Sequence, residues 1–239
     1  MQLSVVVPAY KEAHRIRVTV ETIATLLKRE FLEWEIIVVD DGSDDETEKV
    51  LQGSPGVRYL RNERNLGKGH SVRRGMLEAR FDPVLFTDAD LSTPIEDALP
   101  LLEAVNGGSD VAIGSREPHS AQRVRRTPLR KLMAIVFRCF VKTIALRSIN
   151  DTQCGFKMFR RAAARAVFPL VTIQRWGFDV EVLYLARRLG FKIEAVPVRY
   201  TESSESRLRL TTPMAMTADL LRIRWNILLG RYPHSTESP

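Results

Sequence analysis

Two rhythms of apolar residues take turns along the first half of the chain. Short runs rich in β-branched residues occur at 3–7 (LSVVV), 35–40 (EIIVVD), 57–60 (VRYL), 83–88 (PVLFTD) and 110–115 (DVAIGS). They lack the strict alternation of a half-exposed strand and read as strands covered on both faces. Between them the apolar positions recur at helical spacing. Ile16, Val20, Ile23, Leu26 and Leu27 mark a helix within 13–30. A short helix carries Thr47, Val50 and Leu51, with Asp44 placed to cap it. Further helices are expected over 68–80 and over 94–106, the latter opened by Pro94. Repeated strand–helix units predict an α/β fold, a mostly parallel central sheet with helices on both faces.

Beyond Arg116 the rhythm changes. Residues 117–127 are polar and basic, and Pro128 opens a helical pattern over 129–147. There Leu132, Ile135, Val136, Phe140 and Ile144 are interspersed with Arg130, Lys131, Arg138, Lys142 and Arg147. That pattern fits either an interfacial helix or a core helix with a solvated basic face. A strand running into a helix is expected at 155–161, a helix at 178–190 ended by Gly190, and a strand at 191–200. A polar loop at 201–212 precedes a final apolar and basic helix at 214–229. The expected organisation is one domain over 1–212, with halves 1–116 and 117–212, followed by an amphipathic helix and tail over 213–239.

Composition narrows the class. The 239 residues are 44% hydrophobic and 27% charged, which excludes a disordered tail or a fibrous repeat. Cys139 and Cys154 are too few for a disulfide framework or a four-cysteine zinc site, and read as reduced thiols of a cytosolic protein. The start of the chain lacks the pattern of a cleaved leader, and no run of about 18 apolar residues is present. The net charge of +7 is unevenly spread. Residues 1–116 hold 14 Lys/Arg against 20 Asp/Glu, a net −6; residues 117–239 hold 22 against 9, a net +13. An acidic half suited to a cation thus precedes a basic half suited to an anionic surface.

In open α/β sheets, ligands sit beyond the carboxyl ends of the strands. Three expected strand ends carry chemistry: Pro8-Ala9-Tyr10-Lys11-Glu12, Asp40-Asp41-Gly42-Ser43 and Thr87-Asp88-Ala89-Asp90. Two carboxylates one residue apart, Asp88 and Asp90, can reach one hard cation, Mg²⁺ or Mn²⁺, that keeps positions open for a diphosphate. The alternative is a solvated loop with a helix cap. Asp41 is placed to read a base or ribose, or is an ordinary turn residue before glycine. Tyr10 either stacks on a base or is a partly buried aromatic. Asn65-Leu66-Gly67-Lys68-Gly69 precedes a helix start, where backbone amides and Lys68 favour anions, although it is not a P-loop.

The set PAYKE, VVDDGSDDET, NLGKG, DADLSTP, GSR, DTQCGFKMF, RWGFDVEVLYLARRLG and VPVRYTE resembles the family 2 glycosyltransferases. More narrowly it is similar to the polyprenyl-phosphate sugar synthases, the dolichyl-phosphate glucosyl- and mannosyltransferases, over about residues 3–208. DTQCGFK and RWGFDVE look closer to the glucosyl members. The resemblance implies a GT-A nucleotide-sugar fold, with 1–116 as the donor-binding half and 117–212 as the acceptor half. Pro8, Ala9, Tyr10, Glu12 and Asp41 would line the nucleobase and ribose. Asp88, Ala89 and Asp90 would form the metal and diphosphate motif. Arg116, beside Ser115 in GSR, and Gln153 would face the sugar and acceptor, and Arg207, with Arg209 as the alternative, would clamp the diphosphate from a loop. Lys11 stands where the family usually shows Asn.

The reaction implied is transfer of a hexose from a nucleotide sugar, UDP-glucose first and GDP-mannose second, to a polyprenyl phosphate with inversion. A saccharide acceptor is the alternative. A lipid phosphate is already ionised at neutral pH, its second pKa being about 6, so no strong general base is required. Asp179 and Glu181 therefore orient or cap a helix start, or Asp179 holds sugar hydroxyls; with a saccharide acceptor one of them would be the base. The acceptor lies in a headgroup layer, which gives the basic half, including Arg130 and Lys131, a membrane to meet, each cation contributing about 1 kcal/mol near an anionic leaflet. The expected location is the cytoplasmic face of a membrane, bound peripherally or through a separate anchor protein. A nucleic acid is not an expected partner, because the acidic strand ends would repel phosphates without a metal.

Overall fold

The computed structural model describes residues 1–116, 149, 151–201 and 212–233. Seven strands form one sheet: β1 (Gln2–Ala9), β2 (Glu33–Asp40), β3 (Val57–Arg61), β4 (Val84–Phe86), β5 (Val111–Arg116), β6 (Lys157–Phe159) and β7 (Ile193–Val198). Their order is β3-β2-β1-β4-β6-β5-β7. The helices are α1 (Ile16–Glu30), α2 (Thr47–Leu51), α3 (Lys68–Glu78), α4 (Ala98–Asn106), α5 (Arg161–Val167), α6 (Phe178–Arg188) and α7 (Thr212–Leu228).

The apolar runs become central strands because both their faces are covered. Val6, Ile37, Val39, Phe86 and Phe159 face a core built with α3, α5 and α6. Val5, Val7, Ile36, Val38, Leu85 and Met158 face a second core built with α1 and α4. In α1, Ile16, Val20, Ile23, Leu26 and Leu27 are all buried, as their spacing predicts. Gly75 lets α3 approach the sheet: a Cβ there would lie 2.3 Å from Val6 Cγ1.

β1, β2, β3 and β4 pair in parallel, as do β5 and β7. β6 runs antiparallel between β4 and β5, the one reversal among the described strands. The chain steps from β1 to β2 to β3 in one direction, then β4 returns to the other side of β1. The crevice beyond β1 and β4 is therefore a topological switch point, where open sheets bind ligands.

Three shifts in the local expectations lie close to the strand ends. The strand expected over 83–88 pairs only over Val84–Phe86, which frees Thr87–Asp90 from the sheet. The helix expected over 94–106 begins as a 3₁₀ turn at Ile95–Asp97. Asp45, rather than Asp44, serves the start of α2, accepting from the Thr47 amide (3.1 Å) and hydroxyl (2.6 Å). Asp44 instead pairs with Lys11 Nζ at 2.7 Å.

Candidate active site

Release of the chain after Phe86 shapes the acidic turn. Thr87 still donates its amide to Val6 O (3.0 Å), so Asp88 starts where the sheet ends. The Leu91 amide turns back to Asp88 O (3.2 Å), with Leu91 in the left-handed region at φ +47°. Asp90 Oδ1 accepts the Ser92 amide at 3.0 Å. Buried Ala89 is pinned from behind, its carbonyl accepting the Thr19 hydroxyl of α1 at 2.6 Å. The turn thus carries two carboxylates one residue apart, Asp90 exposed and Asp88 half-buried.

Lys68, first residue of α3, places Nζ 2.5 Å from Asp88 Oδ1 and 5.8 Å from the ring centroid of Trp176. Burial works against its charge, but the carboxylates of Asp88, Asp179 and Asp90 outweigh it and hold its pKa above the ordinary lysine value. Asp41 supplies the geometry. Its carboxylate is buried and accepts the amides of Leu66 (2.9 Å) and Gly67 (2.8 Å) and the Asn62 side chain (2.9 Å). So Asp41 folds the NLGKG loop that delivers Lys68, with most of its lone pairs engaged there.

Asp40 is a clamp behind the site. It accepts the Ser43 amide (3.0 Å) and hydroxyl (2.5 Å) and the hydroxyl of Tyr59. Burial, then the Asp40 carboxylate, pushes the Tyr59 phenol well above its ordinary pKa. At the end of β1, Pro8 and Tyr10 are half-buried and Ala9 is buried. Glu12 turns to α1, with Oε2 2.6 Å from Arg15 Nε, and donates its amide to Thr47 Oγ1 at 3.0 Å. Lys11 has φ +56°, a conformation that Asn adopts more readily than most residues, and its side chain runs out to Asp44. The swap from Asn thus leaves a charged side chain directed at α2's approach.

On the far side of the crevice β5 ends in Ser115 and Arg116. The Arg116 guanidinium grips Asp151 bidentately (2.6 and 2.7 Å) and lies 5.1 Å from the Tyr200 ring centroid. Burial opposes its charge, but the Asp151 hydrogen bonds outweigh it and raise its pKa; the same pairing overcomes burial to lower that of Asp151. Gln153 is half-buried and donates its amide to Asp151 Oδ1 at 3.3 Å. Beside the acidic turn lies a small cleft lined by Thr87, Asp88, Ser92, Thr93, Cys154, Gly155 and Tyr200. A larger hollow lies between α1 and residues 53–57, and none of the strand-end groups lines it.

Asp179 and Glu181 do not open into this cleft. Asp179 is buried against the fully buried ammonium of Lys157. Glu181 is wholly buried and accepts the Thr172 amide (2.9 Å) and hydroxyl (2.7 Å), the Ile173 amide (2.7 Å) and the Tyr232 hydroxyl (2.6 Å). Both carboxylates are internally engaged, so neither is poised as a base; both are first-turn residues of α6 that organise its surroundings. Arg207, Arg130, Lys131 and the 129–147 helix lie outside the described residues.

The structure therefore links Asp88, Ala89 and Asp90 of one turn with Lys68 and the loop that Asp41 holds, while Arg116, which shares Asp151 with Gln153, reaches the cleft through Tyr200. Sequence reasoning missed Asp151, Tyr200, Lys157 and Trp176. Asp151 and Lys157 carried a signal, a charge at each end of the otherwise uncharged stretch TQCGF. The donor set suits a hard divalent cation: two carboxylates on one turn, with no group of three or more His, Cys, Asp or Glu among the described residues to enclose it. An ion held by these two carboxylates would keep its remaining positions for water and phosphate oxygens, as such ions prefer.

Known proteins match this chain on both sequence and fold. The profile of glycosyl transferase family 2 matches residues 4–168. The dolichyl-phosphate beta-glucosyltransferase of Dictyostelium discoideum is 38% identical over 248 residues, covering 95% of this chain and 75% of the relative. Those of Saccharomyces cerevisiae and Homo sapiens are each 36% identical, covering 96% and 97% of this chain and 76% and 77% of theirs. Among solved structures, glucosyl-3-phosphoglycerate synthase from Mycobacterium tuberculosis, in complex with Mn²⁺, UDP and glucosyl-3-phosphoglycerate, superposes with a TM-score of 0.68 at 22% identity, over 93% of this chain and 79% of that one. Mannosyl-3-phosphoglycerate synthase from Rubrobacter xylanophilus gives 0.66 at 20%, over 97% and 75%. At these identities the two structures speak for the GT-A fold alone.

Proposed function

The chain belongs to glycosyl transferase family 2 and is a glycosyltransferase; on that premise we propose that it moves glucose from UDP-glucose to a polyprenyl phosphate at a membrane surface. The single observation that carries the reading is the Asp88–Asp90 turn at the end of β4, in contact with Lys68 at the switch-point crevice. Negative charge develops on the leaving nucleoside diphosphate, and cations placed at that end stabilise it. A Mg²⁺ or Mn²⁺ ion held by Asp88 and Asp90 would supply that stabilisation when bound. Lys68 adds a fixed ammonium, aimed by the amide contacts of Asp41. Pro8, Ala9, Tyr10 and Glu12 form the wall for base and ribose, and Arg207 is the proposed diphosphate clamp.

The acceptor side follows from the two carboxylates of the first turn of α6. Asp179 and Glu181 are engaged with internal donors, which favours an acceptor already ionised, such as a lipid phosphate, over a saccharide hydroxyl. Arg116, held in place by Asp151 and Tyr200, with Ser115 and Gln153, is the proposed receiver of acceptor and sugar. Direct attack of the lipid phosphate oxygen on the anomeric carbon, with departure of UDP from the opposite side, inverts the configuration and gives a β-linked lipid product.

The membrane side of the reading rests on α7. Leu220, Ile223 and Asn226 are buried, whereas Leu221, Trp225, Leu228 and Leu229 are exposed along one side, flanked by exposed Arg222, Arg224 and Arg231. An apolar stripe bordered by cations suits an anionic headgroup layer. Among the described residues no helix is long and apolar enough to cross a membrane. Peripheral attachment at the cytoplasmic face is part of the proposal. The test is a donor panel: labelled UDP-glucose or GDP-mannose, Mg²⁺ or Mn²⁺, and polyprenyl phosphate, followed by solvent extraction and proton NMR of the product. Label from UDP-glucose in the organic phase with a β-anomeric proton is expected; label only from GDP-mannose, or an α product, contradicts the reading.

A further inference from the structure

Lys157 is a fully buried cation that the reaction does not use. Its side chain has no exposure; Nζ contacts Asp179 Oδ1, donates to Cys154 O at 2.5 Å, and lies 5.2 Å from the Phe86 ring centroid. Burying both members of an ion pair removes so much hydration that well-packed apolar residues often serve stability as well or better. The pair is thus poorly explained as cement for the fold.

What it does locally is hold a backbone. Lys157 lies in β6 opposite Phe86 of β4, and its ammonium reaches back to the Cys154 carbonyl. The next residue, Gly155, touches the site directly. A Cβ there would lie 2.2 Å from Asp88 Oδ2 and 2.6 Å from Asp88 Cγ, so the carboxylate rests on the bare Cα of Gly155. Fixing Cys154 fixes that support.

We propose that Lys157, anchored by Asp179, is a positioning residue: it draws the Cys154 carbonyl inward and sets Gly155 as the wall that orients the Asp88 carboxylate. The inference rests on the reading of Asp88 as a cation and diphosphate ligand. It also gives Asp179 a role, as the counter-ion that makes a buried ammonium tolerable, in place of contact with substrate.

The test measures Mn²⁺ affinity by electron paramagnetic resonance on the full chain with UDP, beside kcat and the donor and acceptor KM. Lys157→Met/Asp179→Asn removes both charges and leaves neither buried alone; circular dichroism checks its fold. Gly155→Ala, a methyl set against Asp88 with the ion pair intact, is the second arm should the double variant fail to fold. Each should weaken Mn²⁺·UDP binding at least about tenfold, as loss of outer-shell support does at metal sites, with acceptor KM unchanged. Parent affinity in either folded variant overturns the positioning role. Asp88→Asn separates the two readings. If it retains Mn²⁺ binding, the cation reading falls and the positioning proposal with it; if it loses binding while either of the other variants, folded, keeps the parent affinity, the positioning proposal alone falls.

Discussion

The ammonium of Lys68 lies 2.5 Å from Oδ1 of Asp88, although the two belong to different strand ends and are twenty residues apart. The contact exists because Asp41, at a third strand end, gathers the amides of Leu66 and Gly67 and so starts α3 at that place. Removing the cation without changing the stem's bulk, by Lys68→Met, should lower kcat/KM for the donor on the order of 10²-fold, the usual effect of deleting one charge stabiliser. Mn²⁺ binding without nucleotide should tighten, because no ammonium then competes for Asp88. Steady-state kinetics and metal titration check the two effects.

Glu181 accepts four hydrogen bonds from donors in the 172–173 segment and the tail after α7. Glu181→Gln replaces one acceptor oxygen with a donor facing donors. It should cost about 2 kcal/mol of stability, seen in thermal unfolding, while kcat of the folded protein stays unchanged. A large loss of kcat with unchanged stability would restore the general-base role.

The Arg116–Asp151 pair sets a pH dependence. Pairing lowers the Asp151 pKa in the folded protein below its ordinary 3.8. The unfolded chain therefore binds the proton first on acidification, so the pair's stabilisation is complete above pH 3.8 and fades as pH falls through the lower, folded value. Asp151→Asn should be less stable than the parent by about 1–3 kcal/mol at neutral pH. The gap should narrow steadily below pH 3.8, as thermal unfolding of both proteins across that range would show.

Much of the fold is legible in the residues because β1 and β2 sit centrally, where both faces are covered and the middle of each strand, Val5–Val7 and Ile36–Val39, is apolar. The reversed strand β6 is not. Three residues carry no periodicity, and its place between β4 and β5 is decided by pairings far along the chain. The site divides the same way. Asp88 and Asp90 announce themselves by following an apolar strand one residue apart. Whether Asp41 or Asp179 faces solvent or an internal donor depends on Gly67, 26 residues away, and Lys157, 22 residues away, which no local pattern contains.

Exposed Leu221, Trp225 and Leu228 of α7 give the membrane reading a direct handle. Changing all three to Ser should weaken binding to vesicles containing phosphatidylserine by at least about tenfold, since each buried apolar side chain is worth about 1.5–3 kcal/mol. UDP binding should be unaffected, because the face that packs on the core is untouched. Sedimentation with vesicles, beside UDP titration, reads both.

The account turns on Asp88 and Asp90 serving the departing diphosphate. The most direct measurement is the rate at which label from UDP-glucose becomes soluble in organic solvent with polyprenyl phosphate present, for the parent, Asp88→Asn and Asp90→Asn. The expected result is brisk transfer by the parent and a fall of about 10²–10³-fold in each variant. Transfer by both variants at the parent rate would contradict it.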